Sequence, residues 1–253
     1  MPNIRETTAM STKNAVSRPV ALVTGAGSGI GLASSLLLAK EGFDLVLVGR
    51  RREPLDAAAT QIRSKTPGAT VLVHPADVGD PDAASSIIHA AIDRFGRLDA
   101  LVNNAGLAPL LPIDQTTPDT LRDAFNVNAI GPGALIAAAW PTFVAQRSGR
   151  VINISTMGTS DPFPGFFAYA AAKCAVNSYA RSIAKEGAEH NIRGFAIAPG
   201  AVETPMLRGL FDESMLPREK TLTPHDIARI VVDCAHGRRD SENGTTIYVP
   251  NPS

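Results

Sequence analysis

Tyr169 and Lys173 stand four residues apart in FAYAAAKCAVNSYA, a stretch with helical periodicity. Four residues make about one helical turn, so both side chains project from one face. An ammonium near a phenol favours the phenolate and lowers a pKa of about 10. A phenol tuned in that way can give a proton to a carbonyl oxygen, or take one from an alcohol, near neutral pH. Such pairs also decorate ordinary helix surfaces, so the meaning of this one rests on its surroundings.

A second group with chemical potential is Thr24-Gly25-Ala26-Gly27-Ser28-Gly29-Ile30-Gly31, lying between the apolar run PVALVT (19–24) and the helical pattern IGLASSLLLAKEG (30–42). Gly25 suits a tight turn, while Gly29 and Gly31 let the backbone approach a ligand and let helix pack on strand. The helix N-terminus then offers free N–H groups and a positive dipole end to a pyrophosphate. NAD-binding versions of this turn place a carboxylate about 20 positions on, against the adenosine ribose. Here Gly49 is followed by Arg50, Arg51 and Arg52. Guanidinium groups suit a 2′-phosphate, so the reading favours NADP(H) and leaves NAD(H) open. Ser28 counts against it, because a basic residue inside the glycine loop would have strengthened the case.

The elements that must position these groups alternate along the chain. Strand-like runs occur at 19–24, 44–49, 69–74, 98–103, 149–155, 192–199 and 245–249. Helical patterns intervene over 30–42, 54–65, 81–95, from Thr117-Pro118-Asp119 onward, over 167–189, and from Thr223-Pro224. In both Thr-Pro pairs the threonine is the expected cap and the proline fills the first turn. The strands are apolar on both parities, as expected when helices cover both faces of a parallel sheet. The order predicts an α/β single-domain Rossmann fold: a doubly wound seven-stranded parallel β-sheet with helices on both faces. Residues 1–18, mixed and polar, read as a flexible tail ahead of a domain spanning 19–253.

Composition narrows the function classes. A chain of 253 residues with 44% apolar content can bury a sizeable core. Its formal net charge of zero implies no basic face, so neither nucleic acid nor an anionic membrane is an expected partner. The five histidines are scattered without metal-ligand spacing, so no catalytic metal is expected. Cys174 and Cys234 suggest no disulfide framework, and Cys174 reads as a small buried residue. The tail resembles neither a signal peptide nor a membrane span, which points to the cytoplasm.

TGAGSGIG (24–31), NNAG (103–106), YAAAK (169–173) and APGAVETPM (198–206) occur in this order, and together they resemble the short-chain dehydrogenase/reductase family over about 19–249. Within it, the chain resembles the 3-oxoacyl-carrier-protein reductase type. The resemblance implies a tetrad of Asn, Ser, Tyr and Lys. Tyr169 would be the acid/base, and Lys173 would lower its pKa and bind the nicotinamide ribose. Asn128, in AFNVNAIG, would hold a water leading to a proton relay. The serine position falls on Thr156, with Ser155 as runner-up; threonine carries the same hydroxyl with an extra methyl.

The resemblance also implies that Gly25, Gly27, Ser28, Gly29, Ile30 and Gly31 contact the cofactor, with Arg50 and Arg51 at its ribose phosphate. Asp77 and Val78 would lie beside the adenine, and Asn103, Ala105 and Gly106 along the cofactor. Pro199 and Gly200 would turn over the nicotinamide, with Val202 and Thr204 at its carboxamide. Asn104 more naturally ties neighbouring strands together.

The implied reaction is hydride transfer between the nicotinamide and a ketone or aldehyde, or the reverse oxidation of an alcohol. Asp161-Pro-Phe-Pro-Gly-Phe-Phe167, Leu107, Leu110, Leu111, Met206, Leu207, Leu210 and Phe211 suggest an apolar or mixed-polarity small-molecule substrate rather than a sugar. Residues 203–220 read as a mobile lid. The alanine-rich helices suggest a homodimer or homotetramer, as the family usually forms. Three rivals remain: an NAD-dependent alcohol dehydrogenase, a catalytically silent dinucleotide-binding sensor or scaffold, and a dehydratase or epimerase using Asp161.

Overall fold

Consecutive residues of each inner strand bury themselves in opposite directions. Ala21 and Val23 of β1 (Val20–Thr24) join one core with Leu45 and Leu47 of β2 (Asp44–Gly49). Val20, Leu22, Val46 and Val48 join a second core on the other face. The computed structural model describes residues 18–252, and the expected tail falls outside them but for Arg18, which pairs with Asp44 at 3.1 Å.

The first core is closed by α1 (Gly29–Lys40), α2 (Arg52–Lys65) and α8 (Pro224–Ala235). The second is closed by α3 (Ala83–Phe95), α5 (Gly131–Gln146) and α6 (Phe167–Glu186). Between them, β3 (Val71–Pro75), β4 (Ala100–Asn103), β5 (Gly149–Ile154), β6 (Ile192–Pro199) and β7 (Thr246–Val249) complete one sheet. All neighbours are parallel, in the order β3-β2-β1-β4-β5-β6-β7. The seven-stranded doubly wound sheet expected from the alternation is therefore present. Its order reverses between β1 and β4, and the carboxyl ends of the strands flank a crevice there.

Local chemistry sets the element ends. Thr117 caps α4 (Pro118–Phe125) by accepting from the Thr120 N–H at 3.1 Å. Thr223 and Asp226 form a reciprocal capping box at α8, so two orphan donors are satisfied at once. The long helix expected from Thr117 is interrupted by a wider π-turn, Asn126–Ile130, before α5 resumes. The helical run Pro118–Gln146 is long and apolar enough to cross a membrane by length and composition, and 44% of its most apolar window is packed inside the fold. The Tyr169/Lys173 helix, α6, stops at Glu186 rather than Glu189, and a single tight turn (Ala188–His190) leads into β6.

Candidate active site

The crevice at the strand ends is a cleft of about 570 Å³. One half is lined by the glycine loop through Gly25, Ser28, Gly29 and Ile30; the floor carries Ser155, Thr156, Tyr169 and Lys173. The remaining wall comes from the segment after β5 and the segment after β6. Residues far apart in the chain, such as Gly29 and Tyr169, thus line one cleft because β1, β5 and β6 end at the same edge.

The glycine loop is built around two close approaches. Gly25 adopts φ +65°, and a Cβ at Gly31 would lie 2.3 Å from the Gly25 carbonyl oxygen and 2.6 Å from Asn104 Nδ2. Asn104 explains the crowding: its Nδ2 donates to the Thr24 and Gly25 carbonyls at 2.8 and 3.3 Å, tying the loop to the end of β4. Like α2, α3, α5 and α6, and unlike α4 and α8, α1 has no side-chain cap at its N-terminus, where Ser28 makes no capping bond. The first-turn N–H groups consequently face the cleft unpaired by a cap, as a pyrophosphate site requires. Gly27 lies against Pro54, and a Cβ there would be 2.8 Å from it, which brings the first turn of α2 beside the loop. Arg50 and Arg51, just before α2, are exposed and make no ion pair among the described residues; Arg52 faces Asp56 at 4.0 Å.

At the floor, Lys173 is almost fully buried and donates from Nζ to the Ile154 carbonyl at 2.8 Å. Its Nζ sits 5.9 Å from the centre of the Tyr169 ring. Burial pushes the Lys173 ammonium down from 10.5 to about 8. The phenol moves opposite to the sequence expectation: burial pushes Tyr169 up to about 12, although a hydrogen bond with the Thr156 hydroxyl pulls it back. Desolvation of the fully enclosed phenol is the larger effect, and the Lys173 ammonium, 5.9 Å from the ring centre, does not offset it. Ser155 is buried with an unpartnered Oγ, whereas Thr156 Oγ1 accepts from the Gly158 N–H at 3.2 Å and reaches the phenol.

The depressed lysine has a consequence for stability. Between pH 8 and 10.5 the unfolded chain binds this proton and the folded one does not, so stability rises with pH across that window. Above about pH 10 the raised phenol works in the opposite sense, because the folded state then holds the extra proton. Lys173→Met is expected to remove a rise worth about 3 kcal/mol between pH 8 and 10.5. Urea unfolding of the ligand-free protein over pH 7–10 checks this; parallel wild-type and variant profiles would contradict it.

Other expected residues are placed as follows. Asn128 is fully buried in the π-turn and does not line the cleft. Its Nδ2 donates to the Leu107 and Ala124 carbonyls at 2.7 and 2.8 Å, and its Oδ1 accepts from the Leu107 N–H at 3.1 Å. It therefore pins the loop after β4. A Cβ at Gly106 would lie 3.2 Å from Asn128 Oδ1 and 3.7 Å from Lys173 Nζ, so the three converge behind the floor. The Asn103 side chain turns into the sheet and donates to Asn153 at 2.9 Å, leaving the cleft to Ala105 and Gly106. Asp77 is exposed after β3, its Oδ1 held by the Gly79 N–H, and Val78 is buried beneath Gly131; neither lines the cleft.

Pro199, Gly200, Val202 and Thr204 all line the cleft. Thr204 caps α7 (Pro205–Arg208), and its methyl faces Gly29. The expected lid is well braced: Arg208 pairs with Glu203 and donates to the Leu216 carbonyl at 2.8 Å, and Arg218 faces Glu203 at 3.7 Å.

Asn251 also lines the cleft and was not expected; it brackets Ala201, accepting from its N–H at 3.0 Å and donating to its carbonyl at 2.8 Å. Only the β6–β7 pairing brings it there, so no local motif marks it. Cys174 corrects an expectation: it is exposed, because the buried stripe of α6 runs through Ala172, Lys173 and Val176 and position 174 points away.

The chain matches the family model for short chain dehydrogenases over residues 19–214. It is 34% identical over 224 residues to an uncharacterized oxidoreductase of Listeria monocytogenes, covering 85% of this chain and 90% of the relative. It is 31% identical over 236 residues to the 3-oxoacyl-acyl-carrier-protein reductase of Thermotoga maritima, covering 91% and 95%. Among solved structures it is similar to levodione reductase, with a TM-score of 0.87 and 29% identity over 92% of this chain and 96% of the other. It is also similar to the 3-ketoacyl-acyl-carrier-protein reductase of Brucella melitensis complexed with NADH, with a TM-score of 0.85 and 27% identity over 93% and 98%.

Proposed function

The chain belongs to the short chain dehydrogenase family of NAD(P)-dependent oxidoreductases, and on that premise we propose that it reduces a ketone or aldehyde with NADPH, or oxidises the matching alcohol with NADP, using Tyr169 as acid/base. The observation that carries the reading is the meeting of Tyr169, Thr156 and Lys173 on one floor, opposite a glycine loop and an uncapped helix start. The cradle at Gly25 and Gly31 and the unpartnered Ser155 Oγ suit a nicotinamide dinucleotide laid across the strand ends.

When bound, the nicotinamide supplies the hydride that reaches the carbonyl carbon. Tyr169 donates its phenolic proton to the carbonyl oxygen, and the Thr156 hydroxyl stabilises the charge developing there. A phenol held at about 12 carries the proton that reduction needs at neutral pH, although burial makes it a weaker acid than a free phenol. Lys173, held at its carbonyl partner, keeps a positive charge beside the phenol below about pH 8. Asn128 positions the loop that carries Gly106 and Leu107 rather than touching the reacting atoms. Arg50 and Arg51, without carboxylate partners, are proposed to bind the 2′-phosphate. The protein is further proposed to work in the cytoplasm as a homodimer or homotetramer.

Equilibrium titration of NADPH and NADH at matched salt tests the cofactor reading. NADPH is expected to bind at least about tenfold tighter, a gap of about 1.4 kcal/mol. Equal or tighter binding of NADH would reduce Arg50 and Arg51 to surface charge. Failure of both to bind would remove the oxidoreductase mechanism altogether.

A further inference from the structure

Four rings run in sequence from the cleft mouth to the reacting phenol. Phe211 meets Phe163 edge-to-face at 5.5 Å and 86°, Phe163 meets Phe166 at 5.9 Å and 59°, and Phe166 meets Tyr169 at 5.2 Å and 68°. Phe163 and Phe166 belong to the loop after β5, whereas Phe211 belongs to the lid after β6. Among the described residues, no hydrogen bond links these two walls. The Phe163–Phe211 contact spans them, and Phe163 is 53% exposed while Met215, also lining the cleft, is 66% exposed. Large apolar side chains left open at a cleft mouth mark a surface that a guest covers.

Polar groups away from the floor are few. Apart from Lys173, Asp161 is the one charged residue lining the cleft among the described residues, and it is exposed at the rim. The lid guanidiniums Arg208 and Arg218 both pair with Glu203. A sugar needs a buried partner for each hydroxyl, and this wall does not supply them. A carboxylate or phosphate would meet Asp161 without a free cation nearby. The half-open Phe163 ring and its Phe166 and Phe211 neighbours offer a flat aromatic surface to the cleft, which a flat apolar guest covers and a flexible chain covers less well.

We propose that the substrate is an uncharged ketone bearing an aromatic or alicyclic ring next to the carbonyl, its ring packed against the wall that Phe163, Phe166 and Phe211 form, with Asp161 rejecting anionic analogues. This rests on the carbonyl reduction assigned above. The test compares kcat/KM for acetophenone, 2-octanone (the same carbon count in a linear chain), 4-acetylbenzoate and fructose, using the tighter-binding reduced nicotinamide. Acetophenone is expected to exceed each of the others by at least about tenfold. Phe163→Leu and Phe211→Leu are expected to lower the acetophenone to 2-octanone ratio at least about fivefold, chiefly through KM. Asp161→Asn is expected to narrow the gap between acetophenone and 4-acetylbenzoate. If 2-octanone or fructose matches acetophenone, or if both leucine variants keep the wild-type ratio, the ring assignment is overturned while carbonyl reduction stands. If no carbonyl is turned over although the nicotinamide binds, the reduction itself is overturned and the substrate assignment with it.

Discussion

Tyr169→Phe is expected to lower turnover by about 10²–10⁴-fold while leaving nicotinamide binding nearly unchanged. The change removes one oxygen and keeps the ring, so the stack on Phe166 and the cleft wall survive. Two alternative donors sit close by, Thr156 and Ser155, and neither can replace the phenol easily. Both are aliphatic hydroxyls, far weaker acids than even a raised phenol, so either can hydrogen-bond the carbonyl oxygen but not readily give up its proton. Steady-state kinetics of the variant, with parallel cofactor titration, decide the matter. Residual turnover within about tenfold of wild type would assign the proton to another group. A silent dinucleotide-binding sensor predicts a different pattern, in which the wild type itself turns over no carbonyl.

Gly31→Ala is expected to destabilise the protein by about 3 kcal/mol or more and to abolish nucleotide binding. A Cβ at this position would lie 2.3 Å from the Gly25 carbonyl oxygen and 2.8 Å from its carbon, both backbone atoms. Neither can give way alone, because Gly25 is held at positive φ and its carbonyl is bonded to Asn104. The turn must therefore open, and with it the approach of α1 to the sheet. Gly209→Ala is the control: its Cβ would meet the Pro205 carbonyl at 3.4 Å, an ordinary contact at the end of α7. Urea unfolding and NADPH titration of both variants give the answer. A Gly31→Ala protein within about 1 kcal/mol of wild type, still binding nucleotide, would show that the close packing is dispensable.

Much of the fold was legible because both its signals are local. Alternating apolar runs and helical patterns gave seven strands in the right places, and Thr117 and Thr223 cap their helices as their Thr-Pro pairs suggest. Edges shifted by a residue or two where pairing, not composition, decides: β4 begins at Ala100, where its registered pairs with β1 and β5 both start. The π-turn at Asn126–Ile130 left no periodic signal, because one widened turn hardly changes a pattern averaged over a long helix.

The sequence by itself determined the glycine loop, the Tyr169/Lys173 spacing, the missing carboxylate after β2 and the alternation that imposes a doubly wound sheet. These follow from nearest-neighbour geometry: a turn, one helical repeat, a strand end. Only the tertiary structure decided the direction in which Tyr169 and Lys173 are pushed, because desolvation depends on everything packed around them. It also decided that Asn103 faces Asn153 instead of the cleft, that Asn251 reaches the cleft from the far end of the chain, and that Phe163 closes against Phe211. Each of those depends on which strands lie side by side and which loops they end in, a long-range outcome that no single stretch of residues encodes.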